Sequence, residues 1–129
     1  PDISEMDARR AWIEAPDATF VAVEGDEILG TCYLKTNQPG LGSHICNAGY
    51  IVAKAARRRG LARALCAHSM DEPRRRGYRA MQFNLVVATN EGAVRLWEDM
   101  GFDVIGTVPG GFNHKELGHV DALIMYQKL

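Results

Sequence analysis

Apolar runs of strand period alternate with amphipathic runs of helix period along this chain, and the alternation lays out a fold before any chemistry is considered. Thr19-Phe20-Val21-Ala22-Val23 is a β-branched and aromatic run that predicts a strand. Gly25-Asp26 breaks it, and 28–34 returns as a second apolar run, so the pair predicts a hairpin. Gln38-Pro39-Gly40-Leu41-Gly42-Ser43 predicts a loop. A long third strand follows over 44–53, where Asn47 and Gly49 interrupt the apolar pattern and suggest a bulge.

The period then changes. From Gly60 to about Arg76, Leu61, Ala62, Leu65, Cys66, Ser69 and Met70 recur at helical spacing and predict a helix packed on a sheet. Pro73 removes one hydrogen bond near its end and predicts a kink or an early stop. A strand over 80–88 comes next, then a helix over 90–100 with Ala93, Val94, Leu96, Trp97 and Met100 as its apolar stripe and Gly101 as its terminator. Strands over 102–108 and 120–127 close the chain, joined by a glycine-rich loop over 109–119. Residues 4–14 read as the end of a further helix, with Ser4 as a cap and Pro16 closing it. A strand, a helix and a strand in succession make a right-handed crossover, so 44–53 and 80–88 are expected to lie parallel. The remaining strands are expected antiparallel. The class is α/β with a mixed sheet, and 129 residues suit a single domain over 1–129.

Composition narrows the partners. The formal net charge is −1, so no general field draws the chain to nucleic acid. Basic residues cluster only at 54–63 and 74–79. Arg74, Arg75 and Arg76 fall at the negative end of a helix dipole, which reads as a solvated basic terminus. An RNA-binding face would need exposed aromatics beside these charges, and Tyr78 alone is thin support. No apolar run approaches the ~20 residues that span a bilayer, so no membrane partner is expected. Cys32, Cys46 and Cys66 are too far apart for a disulfide framework or a zinc site. They read as small core residues of a protein kept in a reducing compartment, hence cytoplasmic, and no metal is expected. The chain begins with Pro1 rather than Met, as a trimmed or partial chain would.

Chemistry concentrates in 50–65, where Tyr50-Ile51-Val52 runs through Arg57-Arg58-Arg59-Gly60 into the helix. The first N–H groups of a helix have no intrahelical acceptor and carry partial positive charge. Gly60 lets a ligand approach the backbone, and the three arginines offer forked donors to phosphate oxygens. The arrangement predicts a pyrophosphate cradle. It is not a P-loop, because no Gly-Lys-Ser/Thr stands at the helix start. It is not a Rossmann fingerprint, because only one glycine is present. What remains is R-x-x-G-x-A, carried by Arg57, Gly60 and Ala62.

That motif resembles the acetyl-CoA signature of the GNAT N-acetyltransferase superfamily. The second half of the family pattern is Asn, then Ala, then Leu-Tyr, then Gly-Phe. It appears in order as Asn90, Ala93, Leu96-Trp97 and Gly101-Phe102. The resemblance covers most of the chain from about residue 12. It implies a mostly antiparallel sheet whose one parallel pair splays apart at the centre, with helices flanking it. It implies that Tyr50, Ile51 and Val52 hold pantetheine through unpaired backbone groups. Arg58, Arg59, Gly60, Leu61, Ala62 and Arg63 would hold pyrophosphate, and Asn90 would contact the cofactor arm. Asn90 is also a preferred helix cap, and both roles are compatible. In the family a further strand and helix precede the first hairpin. By this reading they are missing here, which leaves 19–23 as an open edge that a trimmed segment or a second copy in a homodimer would cover.

The implied activity is acetyl transfer from acetyl-CoA to an amine, by direct attack. Trp97 stands where many members have a tyrosine that protonates the leaving thiolate. Indole is not a useful acid, so the chemistry is expected to run without a dedicated acid there, or with Tyr50 or solvent instead. No Asp or Glu lies on the strand over 44–53. His44 is the candidate base, against a structural reading of a lone strand histidine. Asn84 interrupts an apolar strand; period-two alternation puts it on the face of Val86, where a buried amide would orient the acceptor or polarise the thioester, or simply be bonded. Asn113 and His114 on the late loop are candidate acceptor contacts, within a polar cluster with Glu116, His119 and Asp121. Cys46 is a poor nucleophile, with no assured histidine partner. Phe83-Asn84, Thr89-Asn90, Leu96-Trp97 and the glycine-rich loop are more loosely similar to a subgroup that includes yeast proline-analogue acetyltransferases. That similarity implies a small amine or imino-acid acceptor. The rival reading is a GNAT-like module that binds CoA or a partner without turnover.

Overall fold

The computed structural model describes residues 18–53 and 60–129. The expected helix over 4–14 and the arginines Arg57, Arg58 and Arg59 lie outside the described residues. The elements, in order, are β1 (Ala18–Glu24), β2 (Glu27–Thr36), a 3-10 turn (Gly40–Gly42), β3 (Ile45–Val52), α1 (Leu61–Arg75), β4 (Ala80–Val87), α2 (Glu91–Asp99), β5 (Asp103–His114) and β6 (Gly118–Lys128). The strands form one sheet in the order β1-β2-β3-β4-β6-β5. As the crossover requires, β3 and β4 are parallel, and every other neighbour pair is antiparallel.

Alternation decides which side of each strand is buried. Cys32 and Leu34 of β2, and Cys46 and Ala48 of β3, turn inward. Leu34, Cys46 and Ala48 join Met81, Phe83 and Val86 of β4, Met125 of β6, and Cys66 and Met70 of α1 in one core cluster. Both helices cover this one face: Ser69 of α1 and Trp97 of α2 each reach Tyr50 of β3. Phe102, fully buried just after α2, stacks on Phe83 with ring centroids 4.4 Å apart. Helix α1 runs two residues past Pro73 rather than stopping at it. Gly77, at φ 86°, then turns the chain into β4. Its basic end is matched by acids of the same helix. Glu72 bonds Arg75 at 2.9 Å and Arg76 at 3.0 Å, and the hydrogen bonds from Arg76 and then Arg75 hold its carboxyl below the usual carboxylate range.

Three expectations are corrected. The glycine-rich stretch over 109–119 is not a loop: β5 runs through it to His114, and only 115–117 form the turn. The β5–β6 register slips between Val108 and Phe112, so a bulge absorbs Pro109-Gly110-Gly111. β5 ends the sheet, so Pro109, with no N–H, is tolerated there. The Asp121 carboxylate accepts the Gly110 N–H at 3.0 Å and pins the bulge. Secondly, β3 has no slip against β2 from Thr36↔Cys46 to Gly30↔Val52, so Asn47 and Gly49 mark no bulge. Thirdly, the bulge lies in β4, between Phe83 and Val86. It turns both of those residues inward and leaves Asn84 and Leu85 exposed, against the alternation that buried Asn84 with Val86.

Candidate functional site

Strands β3 and β4 pair only at Ile45↔Ala80 and Cys46↔Met81. Beyond those rungs they diverge into a fork that holds a cavity of about 430 Å³. Asn47, Ala48, Gly49 and Tyr50 line it from β3, and residues 83–87 line it from β4. Asn90, Ala93 and Trp97 close it from α2, and Tyr33 reaches it from β2. Every backbone group of β3 beyond Cys46 that faces β4 lacks a ladder partner on that strand.

The open end of the fork meets the start of α1. Gly60 adopts the left-handed conformation, φ 73°, which favours glycine, and a β-carbon there would meet nothing within 4 Å. The first helical bond runs from the Ala64 N–H to the Gly60 carbonyl. The N–H groups of Leu61, Ala62 and Arg63 therefore have no acceptor within α1, and its first turn carries no acid. The Arg63 guanidinium lies 3.2 Å from the Asp99 carboxylate and 3.6 Å from the Met100 sulfur. Its side chain thus ties α1 to the end of α2, and only its backbone N–H shares in the helix mouth. These donors fit a doubly charged linker arriving at the fork.

An aromatic wall bridges the two prongs, and Tyr50 and Phe83 meet edge to face across it. Trp97 lies 5.0 Å from Tyr50 and 4.9 Å from Phe83, centroid to centroid, so one indole touches both strands. The Tyr50 hydroxyl bonds Ser69, whose own hydroxyl donates to the Cys66 carbonyl at 2.9 Å. Serine has one proton to give, so the phenol proton goes to Ser69 and away from the cavity. Burial raises the Tyr50 phenol well above its ordinary range. Tyr50 is therefore corrected from a substitute acid to a wall residue.

The expected site residues separate into those at the fork and those away from it. The Asn90 Oδ1 accepts from the Ala93 N–H at 3.2 Å and caps α2, while Asn90 also lines the cavity. An adjoining space of about 400 Å³ joins Asn90, Val87 and Thr89 to Phe112 and His114. His114 is thus brought beside the cap, but its Nδ1 accepts from the Glu116 and Leu117 N–H groups, both at 3.1 Å. That leaves Nε2 as a donor. Asn113 lies on the other side of β5, exposed and opposite His119. Asn84 lines the cavity from its exposed bulge. Its Nδ2 donates to Asn37 Oδ1 at 2.7 Å, and its Oδ1 accepts from Gln82 Nε2 at 3.2 Å.

His44 is a correction. It is an exposed turn residue at the closed end of the fork, where its carbonyl accepts the Arg79 N–H at 2.8 Å. It does not line the cavity, and it stands about 20 Å from Tyr50 along the strand. Cys46 is fully buried at the same closed end, with its thiol 3.5 Å from the Ala80 carbonyl. Cys32, Cys46 and Cys66 are free and buried. Burial, with a smaller contribution from Cys66, pushes the Cys32 thiol up to about 11, and burial also raises Cys66. Among the described residues, no group of three or more His, Cys, Asp or Glu is placed to hold a metal. No described helix is long and apolar enough to cross a membrane.

Sequence reasoning missed Tyr33 and took Asn47 only as a pattern break. Tyr33 reads as an outward strand residue. Only the β2–β3 register, which sets it against Gly49, brings it to the fork.

Comparison with known proteins bears on this geometry directly. Residues 2–102 match the Acetyltransferase (GNAT) family. N-acetyltransferase aca1 of Schizosaccharomyces pombe is 38% identical over 112 residues, which cover 85% of this chain and 54% of that protein. The chain thus spans about half the length of that curated relative. A GCN5-related N-acetyltransferase structure from Kribbella flavida superposes with a TM-score of 0.92 at 44% identity, covering 100% of this chain and 79% of the other. The structure of YncA from Salmonella typhimurium with its cofactor acetyl-CoA superposes with a TM-score of 0.88 at 25% identity, covering 99% and 76%. The splayed parallel pair, the glycine-opened helix and the family match over most of the chain agree: this protein belongs to the GNAT acetyltransferase family.

Proposed function

We propose that this protein is an acetyl-CoA-dependent N-acetyltransferase of the cytoplasm, moving an acetyl group to the primary amine or imino nitrogen of a small molecule by direct attack in a ternary complex. The observation that carries this reading is the fork itself. It is a gap inside a sheet, lined by unpaired backbone, that opens onto the donor groups of a helix start.

The donor substrate brings its acetyl group already activated as a thioester. The N–H groups of Leu61, Ala62 and Arg63 receive its pyrophosphate, with Arg57, Arg58 and Arg59 adding charge. Backbone groups of Tyr50, Ile51 and Val52 on the side released from β4 bond its extended arm as an added strand would. One N–H of this segment faces the thioester oxygen as charge develops on it. Asn90 keeps its Oδ1 for the cap, and its Nδ2 contacts the arm. Asn84 orients the acceptor, with His114 at the far rim, while Asn113, on the other side of β5, drops out of the acceptor set. The new carbon–nitrogen bond forms as the carbon–sulfur bond breaks, sulfur leaves as thiolate, and the amine proton passes to solvent. Trp97 and the buried Tyr50 supply no acid, and a thiol with pKa of about 8.5 leaves tolerably without one.

The test is a thermal-shift titration with acetyl-CoA, then thiol release across a panel of small amines. Binding to the folded state raises the melting temperature, and at least one amine is expected to release thiol. No shift at millimolar acetyl-CoA would end the reading. Asn84→Ala is expected to raise the acceptor KM; unchanged turnover and KM would remove Asn84 from the site. The second reading, donor binding without turnover, is favoured by Trp97 and by the lack of a carboxylate or histidine among the described residues that line the fork. It would show the thermal shift and no thiol release with any amine.

A further inference from the structure

We infer that Tyr33 is the specificity-determining residue of the acceptor side, its ring seated on the bare backbone of Gly49 at the wall of the fork. The inference rests on the N-acetyltransferase reading and adds to it the residue that sorts acceptors. Tyr33 sits between Cys32 and Leu34, both fully buried beneath the helices, so its own side chain projects from the opposite face of the sheet. The antiparallel register sets it directly against Gly49. A β-carbon built on Gly49 would fall 2.7 Å from the Tyr33 Cζ and 2.9 Å from its hydroxyl oxygen. No side chain fits there while the ring stays. Gly49 is not among the glycines with positive φ, so the ring, not the backbone conformation, is what calls for glycine.

The helix start and the Asn90 cap belong to the helix-bearing end of the fork. Tyr33 enters the same cavity from the other face, together with Asn47 and the exposed amide of Asn84. An acceptor that reaches the fork from that face meets this ring. Lys35 adds a cation 5.5 Å from the ring centroid. Desolvation raises the phenol above its ordinary range, so the hydroxyl stays protonated and acts as a donor and acceptor of hydrogen bonds, not as a base. The ring sets how large an acceptor can be, and the hydroxyl favours acceptors with a polar group near the reacting nitrogen.

The experiment measures kcat and KM for Tyr33→Phe, Tyr33→Ala and Gly49→Ala over amines graded in size, each polar member paired with an apolar isostere. Acetyl-CoA affinity and melting temperature are read alongside. Tyr33→Ala is expected to shift the ranking toward larger amines by about tenfold in kcat/KM, with acetyl-CoA affinity within about twofold of the parent. Tyr33→Phe is expected to raise KM for the polar members only. Gly49→Ala, by displacing the ring, is expected to reproduce the Tyr33→Ala ranking, and the double variant to add little. Should Gly49→Ala fail to fold, the two Tyr33 variants decide. An unchanged ranking in both, or an equal loss across all amines with weakened acetyl-CoA binding, overturns the inference. Absence of acetyl-CoA binding by the parent protein would instead overturn the underlying activity, and the inference with it.

Discussion

Strand β4 has two neighbours and treats them differently. With β6 it pairs antiparallel from Ala80↔Lys128 to Val87↔Ala122, broken only by its bulge. With β3 it pairs parallel for two rungs and then leaves. Both flanks are interior to the sheet, so strand position does not explain the difference. On the helix-covered face the gap is bridged by side chains: Trp97 touches Tyr50 on one prong and Phe83 on the other, while the backbones beneath them stay unpaired. An unpaired backbone group costs about 1–3 kcal/mol when buried. A gap of this kind within a sheet is therefore a place where a ligand or water supplies the missing partners. The β6 flank holds the fold, and the β3 flank is where the chemistry is proposed.

The comparison is open to test by changes on either flank. The largest expected effect is on the structural side. Phe102→Ala removes a ring stacked on Phe83 and should destabilise the protein by about 3–5 kcal/mol in urea unfolding, while the folded fraction keeps its acetyl-CoA affinity. Loss of that affinity would mean that the two flanks are not separable. Alkaline pH acts on the face between β2 and α1. Burial pushes the Cys32 thiol up from 9.0 to about 11, and it raises Cys66 and Tyr50 as well. The unfolded chain loses these protons first. The Cys32 contribution is therefore full below pH 9 and is lost as pH rises through about 11, so the melting temperature should fall over that window, less steeply in Cys32→Ala.

Effects at the fork mouth are smaller in stability and larger in binding. Gly60→Val forces a branched residue to φ 73° and should cost about 1–2 kcal/mol, with acetyl-CoA affinity down about tenfold by titration calorimetry. Retained affinity would detach the helix start from donor binding. Asn90→Ala should lose about 1 kcal/mol with the cap. Asn90→Asp keeps the cap, so donor binding weakened in this variant as in Asn90→Ala would assign the amide nitrogen to the ligand. The smallest effect is expected at Arg63→Ala, at most about 1 kcal/mol, because both partners of its pair with Asp99 are half exposed.

Much of the fold was legible because it rests on local signals. The first hairpin, the parallel crossover and the Asn90 and Gly101 boundaries of the last helix follow from turn chemistry and period. What was not legible depends on register. A period-two reading has no way to register the extra residue of the β4 bulge, so Asn84 was placed inward when it faces out. Pro109-Gly110-Gly111 has loop composition, and only its place on the last strand of the sheet makes it tolerable there. The proposed cofactor half of the site was visible because the core of its motif is contiguous. The proposed acceptor half is assembled from β2, β3 and β4, so Tyr33 and Asn47 had no sequence signal that tied them to Asn84.

The two-rung join of β3 to β4 has a consequence in time. Its partners are separated by the whole of α1, so the seam closes only after a long loop has been brought round, whereas the β1–β2 and β5–β6 hairpins zip from short turns. So few rungs also resist local opening weakly. The Arg79 amide, which donates to the His44 carbonyl across this seam, should then exchange its proton with heavy water sooner than the amides of the β4–β6 ladder. The protein would breathe first along the seam between β3 and β4.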